Sequence, residues 1–362
     1  MERLIFDCAV IGGGPAGSAA AVTLARQGRR IALLYKETTD HYRIGESLPA
    51  AAKPALKELG AEALLAHGRH RPAYGNHMIW RDEQAETQDF LRTPLGAGWH
   101  LDRTAFDRDL RDLAQQAGAR TLTGNVTNVR RDGNGWLVSL RNGGHPIRTR
   151  TLIDATGRRA WLARRLGAHR KRDESLIAVH TWLRNRRDDG MTRIEAVPDG
   201  WWYCAPLPGG VRAIAFHCDT GAARTLLQSP SAWFQALTQT QHIHDDISGD
   251  PLTPLRAAEA CGGQTIPAIG EHWVAVGDAA IHFDPIASQG ITNALYTGQM
   301  GAKGVHSALE SDMSALAAYA ANLDKLRSSY LVQRTQVYYE VERFKESAFW
   351  RKRRVFNADA DT

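Results

Sequence analysis

Near its N-terminus the chain commits itself to a glycine-rich turn between a strand and a helix. Cys8-Ala9-Val10-Ile11 has the character of a buried strand, and Gly12-Gly13-Gly14-Pro15-Ala16-Gly17 follows it. Ser18 to Gln27 is small and alanine-rich, Gly28 ends that stretch, and Ile31-Ala32-Leu33-Leu34 is a second apolar run. Strand, glycine turn, helix and strand within about thirty residues make a βαβ unit. The glycines satisfy G-x-G-x-x-G: Gly12 permits the tight turn, Gly14 admits a pyrophosphate to the backbone, and Gly17 lets helix and strand pack closely. A helix opening at Pro15 and Ala16 directs free N–H groups and its positive end at phosphate. A dinucleotide is expected, held by Gly12, Gly14, Pro15, Ala16 and Gly17. The acid that usually ends the second strand and binds ribose hydroxyls is missing. Tyr35 stands there, followed by Lys36 and Glu37. Either Glu37 substitutes from a shifted strand end, or the ribose is held less tightly.

Composition narrows the class. A chain of 362 residues, 43% apolar and 23% charged, can bury an ample core without disulfides and is long enough for roughly two domains. Cys8, Cys204, Cys218 and Cys261 lie far apart without metal-ligand spacing, so no metal centre is expected. No apolar run reaches the ~18 residues of a membrane span. The opening, Met1-Glu2-Arg3-Leu4-Ile5-Phe6-Asp7, lacks the apolar core of a signal peptide. These features read as a reduced, cytoplasmic protein. The 45 Lys and Arg against 39 Asp and Glu nominate an anionic partner. The arginines occur as scattered pairs and a late Arg351-Lys352-Arg353-Arg354 cluster, without interleaved aromatics. That is the pattern of a solvated surface, so neither nucleic acid nor membrane is expected as a partner.

Further along, residues 52–66 and Phe106 to Gln116 read as helices, and residues 71–99 break into short extended pieces rich in Gly, Pro, His and Trp. Val126-Thr127-Asn128-Val129, Trp136-Leu137-Val138-Ser139-Leu140 and Thr151-Leu152-Ile153 read as strands. Asp132-Gly133-Asn134-Gly135 and Arg141-Asn142-Gly143-Gly144 supply the turns between them. Residues 166–261 form a second extended region interrupted by one short helix around Trp233 to Leu237. Trp273-Val274-Ala275-Val276 is another buried strand, and the chain reads as helical from Ala294 onward.

Two short motifs follow strands: Asp154-Ala155-Thr156-Gly157, and Val276-Gly277-Asp278-Ala279-Ala280. Together with the N-terminal turn they resemble the three FAD-contact segments of the para-hydroxybenzoate hydroxylase and flavin-dependent halogenase superfamily. Arg43-Ile44-Gly45-Glu46-Ser47-Leu48-Pro49-Ala50, Gly98-Trp99-His100-Leu101-Asp102-Arg103 with Phe106-Asp107, and Phe349-Trp350-Arg351-Lys352-Arg353-Arg354 extend the likeness over nearly the whole chain. The branch it is most similar to comprises the flavoprotein maturases that help make the cysteine tryptophylquinone of amino-acid oxidases.

The resemblance implies an α/β fold like that of para-hydroxybenzoate hydroxylase. A Rossmann-like FAD-binding domain (residues 1–70, 100–165 and 262–315) is interleaved with a smaller β-rich substrate domain (71–99 and 166–261), and a C-terminal helical region (316–362) closes it. It implies FAD held also by Arg43, Ser47, Arg103, Gly157, Gly277 and Asp278. Asp284-Pro285-Ile286-Ala287-Ser288-Gln289-Gly290 would line the flavin, with Pro285 against it and backbone N–H groups of Gly290 and Ile291 at its pyrimidine edge.

Halogenases of this superfamily place a lysine after the first helices and a glutamate before the serine of the DP…S…G loop. Residues 71–80 contain no lysine, and Ala287 precedes Ser288. The resemblance therefore implies an FAD-dependent monooxygenase acting on an aromatic ring, a tryptophan or indole above all, free or within a peptide or protein as a post-translational modification. Reduced FAD and O2 would act through a flavin C4a-hydroperoxide. Electrons would come from NAD(P)H directly or from a separate flavin reductase, since Asp154-Ala155-Thr156-Gly157 departs from the motif linked to direct NAD(P)H use. His282 and Asp284 flank the flavin loop and are candidate bases, ahead of His77 and His100. Trp201 and Tyr203 suit either an aromatic substrate pocket or an ordinary core strand, and Glu46 is expected to shape the pocket. A halogenase or reductase of the same fold, or a non-catalytic flavin-binding protein that recognises a peptide, remain alternatives.

Overall fold

The computed structural model describes residues 5–38, 41–66, 68–141 and 145–354. Residues 1–4, the Asn142-Gly143-Gly144 part of one expected turn and the C-terminal residues 355–362 lie outside the described residues.

The chain opens with β1 (Ile5–Ile11), α1 (Pro15–Arg26) and β2 (Ile31–Tyr35), and crosses to a second layer at β3 (Gly75–Ile79). It returns through α2 (Arg103–Gln116), β4 (Arg120–Thr123) and β5 (Ile147–Asp154). The second layer then fills with β6 (Leu176–Asn185), β7 (Met191–Val197), β8 (Gly200–Leu207) and β9 (Val211–Asp219), followed by α3 (Thr220–Gln228) and α4 (Pro230–Thr238). The first layer is completed by β10 (Trp273–Ala275), α5 (Gly290–Leu309) and α6 (Ser314–Tyr339).

The first layer is a sheet in the order β10-β5-β1-β2-β4, all parallel, extended by an antiparallel hairpin of Val126–Asp132 and Gly135–Leu140 beside β5. Helices cover such parallel strands, so they read as unbroken apolar runs rather than alternating ones. Cys8, Ala9 and Val10 are fully buried for that reason, under the alanine face of α1.

The second layer has the order β6-β9-β8-β7-β3, with β3 parallel to β7 and the other neighbours antiparallel. Period-two alternation divides β8 between two cores. Trp202 and Cys204 pack on the outer side with Trp233 of α4. Trp201, with Tyr203 beside it, packs on the inner side with Ile44 and Ile286, which belong to the first layer's loops. Two small sheets join the layers. One pairs Ser47–Leu48 and Arg71–Ala73 with Gly98–His100, and the other pairs His169–Arg172 and Ile281–His282 with Gly263–Ile266.

Three helix expectations are corrected. Residues 52–66 break into a helix at Lys53–Glu58 flanked by 3-10 turns, because Gly60 takes a left-handed φ of +56°. Two helices, α3 and α4, stand where one was expected, since Pro230 cannot continue α3 and starts α4 instead. The C-terminal helix is not continuous. Ser311 turns left-handed, the Asp312 carboxylate accepts from the Ser314 N–H, and α6 ends at Tyr339 before a last turn at Ala348–Arg351.

Candidate functional site

Four of the expected FAD segments meet at the C-terminal edge of the parallel sheet. Gly12 has φ +116°, and a Cβ there would lie 2.1 Å from the Ala155 carbonyl oxygen. A Cβ on Gly17 would lie 1.8 Å from the Gly12 oxygen. The helix therefore rests directly on the turn, and the turn on the Asp154–Gly157 loop. Ala16 is packed from the other side by Gly277, whose Cβ would approach it to 2.6 Å. Gly14, by contrast, caps α1 with no atom within 4 Å of its Cβ direction. The first and third glycines are consumed by packing and the middle one is left open, which is the cradle a pyrophosphate needs.

Asp154 builds its loop from inside. It is fully buried, and its carboxylate accepts from the Thr156 N–H and hydroxyl and from the Ala163 N–H, at 2.7–2.9 Å. Asp278 instead remains half-buried at the open side, 3.5 Å from the Arg158 guanidinium. The Gly277 N–H is fixed by the Thr297 hydroxyl at 2.8 Å. Pro285 and Gly290 are exposed, Gly290 opens α5, and Ile291 behind it is buried. Two non-glycine residues here adopt left-handed backbone, Ala160 beside the Gly157 loop and Ser288 in the Pro285 turn. Such strain, about 1 kcal/mol or more each, persists where surrounding structure enforces it.

Arg43 and Arg103 share one carboxylate. Arg43 meets Asp107 at 2.6 Å and Arg103 meets it at 3.2 Å, while Arg103 also donates to the Gly45 carbonyl. Crowding by Arg103, with burial, lowers the pKa of Arg43. Half of the Arg43 side chain stays exposed. At the end of β2, Glu37 is exposed, and Tyr35 is covered instead by Arg111, whose guanidinium lies 4.6 Å from the ring centre and donates to the Gly13 carbonyl. A cation over an aromatic ring thus occupies the place where the usual fingerprint has an acid.

Facing this edge across the layers are Ser47, Glu46 and Tyr203. Ser47 Oγ and Tyr203 Oη lie 2.8 Å apart, tying the first layer to the second. Glu46 is buried, with Oε2 accepting from the Gly45 N–H and Oε1 without a hydrogen-bond partner among the described residues. Burial pushes its carboxyl up to about 7, against the pull of backbone donors and Arg103. Trp201 lies deeper. It is fully buried, stacked on His217 at 3.6 Å, with its Nε1 donating to Tyr338. It is a core residue, and of the expected aromatic pair Tyr203 alone keeps partial exposure.

His282 and Asp284 do not fit the role of a base in contact with substrate. Both are 1% exposed. His282 Nε2 faces Arg170 at 3.1 Å, and burial, with Arg158 and Arg170, holds its imidazole down at about 3. Glu259, Cys261 and His282 come close enough to hold a cation, but Arg170 and Arg172 already pair with Glu259, so positive charge is disfavoured there. Asp284 Oδ1 accepts from the Ile286 N–H and Oδ2 from the Tyr338 hydroxyl. His100 is buried against Thr192, its imidazole likewise held near 3 by burial, and His77 lies at a hairpin with Thr87. Two surface hollows lie elsewhere. One of about 490 Å³ is lined by Arg159, Trp161, Arg164 and Arg165, and the other, of about 620 Å³, lies behind β8 and β9.

The sequence profile described as tryptophan halogenase matches residues 70–361, and that of an FAD binding domain matches residues 7–52. The chain belongs to the tryptophan halogenase family. As a member of that family it is an FAD-dependent oxidoreductase. It is 28% identical over 365 aligned positions to LodB of Marinomonas mediterranea, which is named as an FAD-dependent oxidoreductase, with 98% of each chain covered. Two solved structures share the fold. The myxobacterial chondrochloren halogenase CndH has a TM-score of 0.89 at 22% identity, over 99% of this chain and 87% of that one. The peptidyl tryptophan dihydroxylase QhpG, described as essential for tryptophylquinone cofactor biogenesis, has a TM-score of 0.82 at 22% identity, over 100% of this chain and 80% of that one.

Within this tryptophan halogenase family member, sequence reasoning missed Arg111, Asp107 and Thr297. Asp107 lies in the Phe106-Asp107 motif, but its partnership with two arginines is visible only once α2 stands beside Arg43. Arg111 follows it by four positions on the same face of α2, a spacing that a helical reading exposes. Thr297 had no local signal. No helix of the described residues is long and apolar enough to cross a membrane.

Proposed function

We propose that the protein is a monooxygenase that hydroxylates an aromatic ring, tryptophan or indole above all, carried by a peptide or protein partner or free. One observation carries this reading over halogenation. The Asp284–Gly290 turn is formed and open at Pro285 and Gly290, yet it holds Ala287 where halogenases place a glutamate, and residues 71–80 hold no lysine. QhpG, which shares the fold, supports the same direction, because it is named as a peptidyl tryptophan dihydroxylase.

FAD would be held by Gly12, Gly14, Pro15, Ala16 and Gly17 at its pyrophosphate, by Asp278, Arg43 and Arg103 along its length, by Ser47 and Gly157 beside it, and by Pro285, Gly290 and Ile291 at the ring. Glu37 stands outside this set. Bound and reduced, FAD supplies the activation of O2. The chain's own residues bind, orient and exclude water. Tyr203 and Ser47 bridge the layers, and the phenol stays protonated because burial raises its pKa, so the hydroxyl pair keeps one O–H that would orient a substrate as a donor. The buried Glu46 carboxyl, held up to about 7, precedes Ser47 in the chain and acts electrostatically on Tyr203, so it is the proton-holding group we assign beside that bridge. Electrons arrive from NAD(P)H or from a separate flavin reductase, the protein works in the cytoplasm, and the partner's acidic surface would meet the net charge of +6.

The test is product mass. Purified protein with FAD, O2 and either NAD(P)H or a flavin reductase is given tryptophan, indole or a tryptophan-containing peptide, with and without chloride or bromide. Gain of oxygen independent of halide supports hydroxylation. Gain of halogen overturns it in favour of a halogenase, and FAD retention without turnover favours a flavin-binding recognition protein.

A further inference from the structure

The face of α6 toward the site carries a stripe at four-residue spacing, Tyr330, Arg334 and Tyr338, and all three side chains converge on one residue. The Asp284 N–H donates to the Tyr330 hydroxyl at 3.0 Å, Arg334 Nε lies 3.4 Å from Asp284 Oδ2, and the Tyr338 hydroxyl donates to the same oxygen at 2.8 Å. The other oxygen, Oδ1, accepts from the Ile286 N–H at 3.0 Å and so fixes the Pro285–Ala287 turn. Tyr338 Oη is used a second time, as acceptor from Trp201 Nε1 at 3.1 Å. One buried hydroxyl therefore joins the C-terminal helix, the substrate sheet and the loop assigned to the flavin.

We infer that Tyr338 is a positioning residue for the cofactor: through Asp284 it sets the Pro285–Ala287 turn that faces the flavin, and it links that turn to Trp201 in the substrate layer. The inference rests on the FAD reading of this site. A second observation makes it readable. Burial pushes the Asp284 carboxyl up to about 6, opposed by the Ile286 N–H, the Tyr338 hydroxyl, Arg353 just beyond the last turn and Arg158 of the Gly157 loop. Tyr330 and Arg334 of α6 also face it, and Glu174 lies behind, paired with Arg334 and Arg353. Ionisation of Asp284 thus changes the charge at the root of the flavin loop near neutral pH, and removing the Tyr338 donor disfavours the ionised form.

The experiment titrates the visible absorption of bound FAD from pH 5 to 9 in the wild type and in Tyr338→Phe, Trp201→Phe and Asp284→Asn. Tyr338→Phe keeps the ring among Trp80, Phe349 and Trp350 and removes only the hydroxyl. The wild type is expected to show a transition near pH 6. Tyr338→Phe moves it upward by about one pH unit, Trp201→Phe moves it upward by less, and Asp284→Asn abolishes it while leaving any separate change near pH 7 that Glu46 causes. A strut without influence on the flavin would leave the transition where it was in both aromatic variants, and that result overturns the inference, as does a wild-type spectrum that ignores pH. A wild type that retains no FAD fails earlier, by removing the FAD reading itself. Trp201→Phe decides the question where Tyr338→Phe does not fold.

Discussion

The point at which Gly17 would carry a Cβ lies 1.8 Å from the carbonyl oxygen of Gly12. Gly17→Ala therefore has to push α1 off its strand, and a destabilisation of roughly 1–3 kcal/mol is expected, read as a lower denaturation midpoint of the apoprotein. Gly14 meets nothing within 4 Å, so Gly14→Val should lose FAD while costing the fold no more than about 1 kcal/mol, that of a lost glycine N-cap. The two variants separate packing from cofactor binding. Equal apoprotein midpoints for both would contradict the assignment.

Asp278 stands at the open side of the same site with Arg158 at 3.5 Å. Asp278→Ala is expected to weaken FAD retention at least about tenfold, roughly 1.4 kcal/mol, without altering the apoprotein midpoint. Retention of stoichiometric FAD after gel filtration would remove Asp278 from the binding set.

Arg111 covers Tyr35 and holds the Gly13 carbonyl. Loss of that cover in Arg111→Ala should weaken FAD several-fold, an effect of about 1 kcal/mol typical of one exposed cation–π contact with a hydrogen bond. Glu37→Gln should leave the affinity unchanged, because Glu37 lies exposed beyond the strand end. Titration of apoprotein with FAD distinguishes the two.

Acid stability follows from three buried histidines. His100, His217 and His282 are each held down to about 3 by burial, so between about pH 3 and 6.5 the unfolded chain binds protons that the folded chain does not. Their contribution is present above 6.5 and is lost as pH falls, by up to about 1.4 kcal/mol per unit for each. Glu46 and Asp284 act in the opposite sense. Their raised folded values, about 7 and about 6, add stability below the ordinary carboxylate range that is lost as pH rises through those values. Net stability should decline on acidification below pH 6.5, and His217→Phe, which keeps a ring against Trp201, should flatten that decline. An unchanged slope in denaturant midpoints would show that His217 does not titrate in the way its burial dictates.

The parts of this fold legible in the sequence are those written locally. The glycine turn, the two strands beside it and the loops at Asp154 and Gly277 each announce themselves by a few adjacent residues, and the structure brings them together at Ala16. The alternation of β8 was equally local, but which face looked toward the first layer depended on Ile44 and Ile286, more than eighty residues away in either case. The environment of Asp284 was less accessible still. Its partners lie on a helix some fifty residues onward, and nothing near Asp284 says that Tyr330, Arg334 and Tyr338 share a face pointing at it. Burial, rather than residue type, decided that Asp284 holds the loop and that His282 is packed behind Arg170.

The parallel pairing of Gly75–Ile79 with Met191–Val197 has a consequence for synthesis. On the ribosome, β3 emerges with its local partner Glu86–Asp89 long before Met191–Val197, and β1 with β2 must likewise wait for β5, so neither layer can close its sheet early. Non-local pairings of this kind fold slowly and leave strand edges exposed meanwhile. A nascent chain of this family member should therefore depend on holding chaperones, and its two layers will not be produced as separate soluble fragments by cutting at any single bond.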